Sequence, residues 1–553
     1  MQVVRRLALG ALVLACALSA SCTAALAASD QVAMFAEPGL VNDPTGTLAK
    51  LRLLGAGQVR LSLPWSHVAP APLSHRRPRH LHAADPGAYP DAVWAPYDNA
   101  ITQAQSQGIA VNLDVVGGAP LWATSPGAPR DKPRPSWEPR VADFGAFVRA
   151  VGERYSGDYD PVTHTLDPGN PADLPAVGFW SIWNEPNFGP SLAPQGLPGQ
   201  LSTEHSPLTY RNLLDAGWSA LQVTGHGNDT ILFGEVAPRG APAVRTHGVP
   251  PFGVFGEMKP LQFLRTLYCV DGGFRALRGH AATARGCPAG RAGSQAFRRA
   301  HPALFAGSGF AVHPYSRWYP PNLEAPNDPD YASLADVGRL ARTLDRLQRA
   351  YGLRTHFPIW NTEYGYITSP PKRHTRRDPY VSDTTAAAFL NQAEYISWRN
   401  PRLKSFMQYL LRDPVAPKRA NDYGGYASGL MSWRGLPKAT YSAWRLPLYL
   451  PVTHARPGRG LEVWGCVRPA YFALQDVPAD AETVQIQFAP AGSQTYTTVG
   501  SAAITDAHGY FDTRVTFPSN GTVRLTWTYP ADDNLLPAGY TVFSRQVRIT
   551  VSR

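Results

Sequence analysis

The stretch Phe179-Trp180-Ser181-Ile182-Trp183-Asn184-Glu185-Pro186-Asn187 decides how the rest of the chain is read. A short apolar and aromatic run ends abruptly in Asn-Glu-Pro. Such a run, bounded by turn residues, reads as a strand buried on both faces, and proline cannot continue its ladder. The glutamate therefore sits at the strand's carboxyl end. Ile359-Trp360-Asn361-Thr362-Glu363-Tyr364-Gly365 repeats the arrangement. Working outward, further strand candidates lie at 32–35, 58–63, 110–115, 231–236, 309–312 and 405–410. The two quoted stretches supply strands over 177–183 and 358–362. Between them run amphipathic segments with apolar residues three and four apart, at 48–55, 93–107, 141–155, 210–223, 334–350 and 386–398. Strand-then-helix units in this number predict an α/β chain closed into a (β/α)8 barrel, the TIM barrel, over about 29–452.

The loops that follow the strands are the long ones, at 64–89, 117–139, 186–206 and 365–382. In such barrels the carboxyl-end loops build the site. The segment 253–307 predicts an extra helical excursion after the fifth strand. From 460 onward the texture changes to short alternating strands at 461–466, 483–487, 496–503, 510–516, 522–528 and 540–551. Turns such as His508-Gly509 and Asn520-Gly521 separate them. This predicts a β-sandwich accessory domain over 460–553, of immunoglobulin or fibronectin type, either packing on the barrel or binding carbohydrate.

At the start, Arg5 and Arg6 precede an apolar stretch over 7–20 and then Ala25-Leu26-Ala27, the build of a signal peptide over 1–28. Secretion is expected, with Cys22 after Ser19-Ala20-Ser21 as a possible lipoprotein anchor. No later run has the ~18 apolar residues of a membrane span. Cys269 and Cys287 flank a Gly/Arg/Ala-rich loop and predict a disulfide, as expected of a pair of cysteines in an exported chain. Closing that loop is worth about 3 kcal/mol in the chain-entropy model. Cys466 is left over in a strand and is expected to be buried. The net charge is +11, but the arginines are scattered and no basic–aromatic motif occurs, which argues against a nucleic-acid partner. His75, His80 and His82, in an Arg/Pro-rich loop, are too loosely patterned to predict a metal site. The basic run 372–377 reads as a solvated loop.

Two glutamates delivered from strand ends into one barrel mouth are what glycoside cleavage needs. One carboxyl protonates the leaving oxygen while the other, ionised, attacks the anomeric carbon. Strands four and seven face each other across the barrel, so a separation of ~5–5.5 Å, the spacing of a retaining mechanism, is within reach. Burial and a like charge nearby would raise the acid partner's pKa.

Trp183-Asn184-Glu185-Pro186 resembles the Asn-Glu-Pro signature of the clan A retaining glycoside hydrolases, in a family five-like or family thirty-nine-like form. The resemblance spans about 31–450. It implies that Glu185 is the acid/base, that Asn184 holds the sugar's 2-hydroxyl, and that Glu363 is the nucleophile. Arg60, in Val59-Arg60-Leu61-Ser62, stands where family five enzymes hold an arginine against the nucleophile. His313-Pro314-Tyr315 resembles the His-x-Tyr pair that lines such sites. The chain departs from that pattern in two places. The third strand, Asn112-Leu113-Asp114-Val115-Val116, lacks the usual histidine, and the eighth offers Gln408-Tyr409 in place of a tryptophan. Trp433, in the loop beyond, is expected to supply a stacking face instead. Trp65 and Trp122 are expected as substrate-binding residues, and Trp318 and Tyr364 as further stacking candidates. The function expected is a secreted O-glycosyl hydrolase acting on an oligo- or polysaccharide, with no metal or organic cofactor. A transglycosylase using the same residues, or a glycan-binding protein without chemistry, is the alternative.

Overall fold

The computed structural model describes residues 28, 30–132, 134–246, 248–289, 293–323, 327–368, 380–414, 426–470, 482–529 and 539–553. The expected leader apart from Ala28, Cys22 within it, and the basic run 372–377 lie outside the described residues.

Eight parallel strands form one sheet: β1 (Val32–Ala36), β2 (Gln58–Pro64), β3 (Ala110–Val116), β4 (Phe179–Ile182), β5 (Thr230–Val236), β6 (Gly309–Val312), β7 (Ile359–Asn361) and β8 (Ser405–Tyr409). Their order is β7-β6-β5-β4-β3-β2-β1-β8. The ends meet where Ile359 bridges Leu403: the Ile359 N–H donates to Arg402 O at 2.7 Å and the Lys404 N–H to Ile359 O at 2.9 Å. The sheet is a closed barrel.

The helices pack outside it: α1 (Pro44–Leu53), α2 (Asp91–Ser106), α3 (Val141–Arg154), α4 (Ser206–Val223), α5 (Pro260–Leu267), α6 (Val337–Ala350), α7 (Asp383–Trp398) and α8 (Ala439–Arg445). The amphipathic pattern is clearest in α6. In α6, Leu340, Leu344 and Leu347 are buried at helical spacing while Arg342, Arg346 and Arg349 face solvent. Two helix starts carry side-chain caps: Asp43 accepts the Gly46 N–H of α1 at 2.9 Å, and Ser382 accepts the Thr385 N–H of α7 at 3.1 Å.

The excursion after β5 contains α5 and three further short helices, Gly279–Thr283, Gly293–Ala300 and Ala303–Ala306. The disulfide Cys269–Cys287 closes it. Arg211 of α4 ties it to the helix layer, donating to Leu267 O at 2.9 Å, Arg285 O at 3.0 Å and Gly286 O at 2.9 Å. Cys466 is buried as a free thiol.

Beyond the barrel, β9 (Leu448–Tyr449), β11 (Leu461–Cys466) and β14 (Tyr510–Val515) make one antiparallel sheet. The other contains β10 (His454–Ala455), β12 (Thr483–Pro490), β13 (Thr497–Ala503), β15 (Gly521–Thr528), β16 (Thr541–Phe543) and β17 (Val547–Val551). Val463, Ile486, Phe488, Val523, Leu525 and Trp527 fill the space between as a second core. Leu446, Leu448 and Leu450 join that core, so it recruits chain ahead of residue 460.

One buried ion pair locks the two cores together. Arg468 donates to both carboxylate oxygens of Glu394 in α7 and to Trp444 O at 2.7 Å. Tyr510 adds a bond to Glu394 at 3.0 Å. Neither charge can reach water. Arg468→Met is expected to cost about 3–5 kcal/mol, because it strands a buried carboxylate. Denaturant unfolding of the full chain measures this, and a loss below about 1 kcal/mol would show that the pair is not what holds this junction.

Candidate active site

The site begins where β4 stops. Trp183 and Glu185 both adopt positive φ, +69° and +43°, conformations that cost of order 1–3 kcal/mol each in non-glycine residues. Local contacts hold them there. The Trp183 N–H donates to Val115 O at 3.0 Å and its ring packs edge-on against Phe144 at 5.2 Å. A Cβ on Gly117 would come within 2.4 Å of that ring, which is why glycine stands at the end of the neighbouring strand. The Glu185 N–H donates to the main-chain oxygen of Glu235 at 2.9 Å. The turn so formed carries Asn184 and Glu185 into the barrel mouth.

Glu363 enters from the opposite wall, just past β7. Arg60 of β2 donates to it at 2.8 Å, to Asn184 Oδ1 at 2.9 Å, to Glu235 at 3.2 Å, and pairs with Asp114 at 2.5 Å. With Asn184 Oδ1 accepting from Arg60, its amide NH2 is left to donate to a bound hydroxyl. The Tyr315 hydroxyl donates to the second oxygen of Glu363 at 3.0 Å. His313 stands between the glutamates, with Nδ1 2.9 Å from Glu185 Oε1 and 3.6 Å from Glu363 Oε2. Its Nε2 lies 2.8 Å from Glu235 Oε2. One oxygen of Glu185, one nitrogen of His313 and one oxygen of Glu363 all lie within 4.8 Å of one another. That geometry could suggest a metal site. Both His313 nitrogens, however, are engaged with carboxylates, and Arg60 already neutralises Glu363, so the set fits an ion-pair network better than a cation. Among the described residues, His75, His80 and His82 do not gather into a ligand-sized cluster.

Glu235, and Asp114 as a charged partner, join the site without a motif in the sequence to mark them. The β5–β6 register shifts after Gly234–Ala311, so that Val236 pairs with Val312 and Glu235 becomes the bulged residue, with φ +47°. Gly234, at φ +110°, permits this: a Cβ there would lie 2.5 Å from the Phe310 ring. The bulge turns Glu235 inward, where it is fully buried and also accepts the Thr362 hydroxyl at 2.7 Å.

Charge follows from these contacts. Burial alone would raise the Glu235 carboxyl, but Arg60 and His313 outweigh it and hold it at about 2. For His313, burial would favour the neutral ring, yet the charge of Glu363 and the bonds to Glu185 and Glu235 lift its pKa to about 10. The shift favours the protonated ring. Because the folded value is raised, its contribution to stability is fully present below the unfolded value of about 6.5. It declines as pH climbs through about 10. Burial, only partly offset by Arg60, keeps Asp114 well above the usual carboxylate range.

A cavity of about 460 Å³ opens beside this network, lined by Glu37, Arg60, His67, Tyr97, Gly117, Asn184, Glu363 and Tyr409 among others. Glu37 is pinned by the N–H groups of Gly39, Leu411 and Arg412 at 2.9, 2.8 and 3.1 Å. On the Glu185 side stands Glu257, which no sequence motif marks. Burial first, and the charge of Glu185 second, push it up to about 7.

The aromatic expectations need correction. Trp65 is fully buried among Trp122, Phe144 and Phe147. Trp122 is fully buried as well, its indole N–H donating to Pro70 O at 3.0 Å. Trp65 packs against helix α3, Trp122 packs on Trp65, and neither buried ring offers a sugar a face. Tyr364 is buried behind Tyr315, bonded to Tyr366 at 3.0 Å. Trp433 is 38% exposed and does not line the cavity; Arg434 lies over its ring at 4.7 Å. Tyr409 takes the eighth-strand position instead, in edge contact with Tyr315 and Tyr426 at 6.5 and 5.7 Å. Trp318 is half-buried under Arg317 at 4.3 Å. Trp122→Ala is accordingly expected to lose about 3–5 kcal/mol of stability with KM unchanged within twofold. Unfolding and steady-state kinetics on the same sample check this, and a KM raised tenfold in a stably folded variant would restore Trp122 to the site.

No protein-family model matches the sequence, and no curated protein matches it. Among solved structures the chain is similar to a family 39 glycoside hydrolase from the gut symbiont Bacteroides cellulosilyticus WH2. The identity is 14% over 89% of this chain and 80% of that one, with a TM-score of 0.42. It is also similar to a family 1 β-glucosidase from Thermotoga maritima, at 13% identity, 71% and 81% coverage and a TM-score of 0.39. A glycoside hydrolase family 5 structure from Bacteroides vulgatus ATCC 8482 matches at 10% identity, 87% and 85% coverage and a TM-score of 0.38. The likeness is remote in each case.

Proposed function

We propose that this chain is a secreted retaining O-glycosidase that cleaves a β-linked carbohydrate by double displacement. The single observation that carries the reading is the approach of Glu185 and Glu363 to within 4.8 Å across the barrel mouth, one on each side of His313. Two carboxyls that close leave no room for the water an inverting enzyme activates between them, and suit direct attack on the sugar. Glu363, clasped by Arg60 and Tyr315, is held as an oriented anion. One of its oxygens forms the bond to the anomeric carbon as Glu185 gives a proton to the departing oxygen. Water then enters: Glu185 takes its proton, and the oxygen displaces Glu363 from the sugar. Asn184, with its amide directed outward by Arg60, is placed to bind the hydroxyl next to the reacting carbon. The disulfide is compatible with export. Among the described residues no helix is long and apolar enough to cross a membrane.

A panel of aryl β-glycosides and β-glucans, assayed with the wild type, tests the reading. Turnover of at least one class is expected. Tight binding of a glycan with no turnover of any would replace the enzyme with a glycan-binding protein, and transfer to an added sugar in place of hydrolysis would make it a transglycosylase.

A further inference from the structure

Glu235 has no role in the two-carboxylate scheme, yet it touches the groups that flank both reacting carboxyls. Its Oε2 accepts from Arg60 at 3.2 Å, from Thr362 at 2.7 Å, and faces His313 Nε2 at 2.8 Å. Its main-chain oxygen accepts the Glu185 N–H at 2.9 Å. It is fully buried, and the bulge that aims it inward requires the glycine before it. A salt bridge serving only the barrel wall would not need a distorted strand to reach the reacting side of the site.

His313 has one nitrogen on each of two carboxylates. An ionised carboxylate only accepts, so both nitrogens must donate unless one carboxyl carries the proton. The charged and titratable groups around the ring are Glu185, Glu235 and Glu363 in contact, with Asp114, Arg60 and Tyr315 behind them. Three carboxylates against one ring favour the cation.

We propose that Glu235 is a positioning residue: it holds His313 as a doubly protonated imidazolium whose Nδ1–H occupies Oε1 of Glu185, so that the proton given to the leaving group resides on Oε2. This rests on the glycosidase reading. The alternative is a neutral ring with a bare Nδ1, which would draw the Glu185 proton onto Oε1 and point it at His313, away from substrate. With the imidazolium in place, the Glu185 proton leaves from Oε2, and the carboxylate it leaves behind is already hydrogen-bonded through Oε1. In the second step the proton from water returns to Oε2 while its oxygen displaces Glu363.

The test is ¹⁵N NMR of the full chain labelled on histidine, with His313 assigned by its loss in His313→Gln. Both ring nitrogens of His313 are expected to stay protonated between pH 5 and pH 8. In Glu235→Gln, which keeps the volume, the ring is expected to titrate near the ordinary value of about 6.5. Its kcat is expected to fall on the order of 10- to 100-fold with KM within about twofold, and Glu235→Asp to recover part of the loss. A bare Nδ1 in the wild type at neutral pH overturns the proposal, as does a Glu235→Gln variant whose His313 stays doubly protonated. If Glu235→Gln does not fold, the wild-type spectrum alone decides. The spectrum needs no substrate, so an imidazolium in a chain that cleaves no glycoside would count against the glycosidase reading, and a bare Nδ1 in an active chain against the role given to Glu235.

Discussion

Glu363→Ala is expected to lower kcat by roughly 10⁴-fold or more, the scale on which loss of a covalent nucleophile is felt. The loss should appear in kcat and in kcat/KM together, because the bond proposed for Glu363 would exist only along the reaction path. Geometry adds a sharper expectation. Removing this side chain leaves a small space beside Arg60 and Tyr315, each of which donates to Glu363 in the wild type. A small anion such as azide fits both donors, and it should restore turnover by attacking the anomeric carbon from the face Glu363 used. The product would be a glycosyl azide of inverted configuration, identifiable by its anomeric coupling. Azide that restores nothing, in a variant shown to fold, would separate Glu363 from the nucleophile's role. The Arg60–Glu235–Asp114 contacts survive the substitution, so folding should too.

Glu185→Ala carries the second large effect, and its size should depend on the leaving group. Proton donation contributes on the order of 10²–10⁴-fold where the departing oxygen is a poor leaving group. Natural glycans and alkyl glycosides should lose that much in kcat/KM. A dinitrophenyl glycoside needs no proton to depart, so its first step should be nearly unaffected. The glycosyl-enzyme then accumulates, because no base remains to activate water, and a burst of phenol precedes slow turnover. Azide, needing no general base, should release that intermediate as a glycosyl azide of retained configuration. Equal losses for activated and unactivated leaving groups would mean that Glu185 is not the proton donor. The opposite azide products of the two variants assign the glutamates to their steps independently of any assay of rate.

The barrel strands were legible in the sequence because parallel strands buried on both faces read as short apolar runs. Those expected at 309–312 and observed at Gly309–Val312 coincide, and the others shift only at their ends. The strand ends carrying Arg60, Asn184, Glu185, His313, Tyr315 and Glu363 could be read for the same reason: each polar residue interrupts or terminates an apolar run. The structure brings these six side chains into one network. Glu235 interrupts a run too, in Ile231-Leu232-Phe233-Gly234-Glu235-Val236. Its signal was the glycine before it, since glycine inside a strand marks a bulge. Strict alternation gives no hint that the bulge would turn the side chain inward. The tryptophans failed for a different reason. A loop aromatic reads alike whether it faces the cleft or the protein interior: Trp65 packs on Phe144 and Phe147 of α3, and Trp122 packs on Trp65. Trp433 lay beyond reach of sequence reasoning because its position depends on how the loop after β8 folds back.

The central claim is that Glu185 and Glu363 act as acid/base and nucleophile on one sugar. It is tested most directly by ¹H NMR of the first product formed from an aryl β-glycoside, read before mutarotation scrambles the anomeric centre. Double displacement across carboxyls this close predicts that the β-anomer appears first, with the α-anomer growing in only at the rate of mutarotation. If the α-anomer appears first, water attacks the substrate directly, and the roles assigned to these two glutamates are wrong.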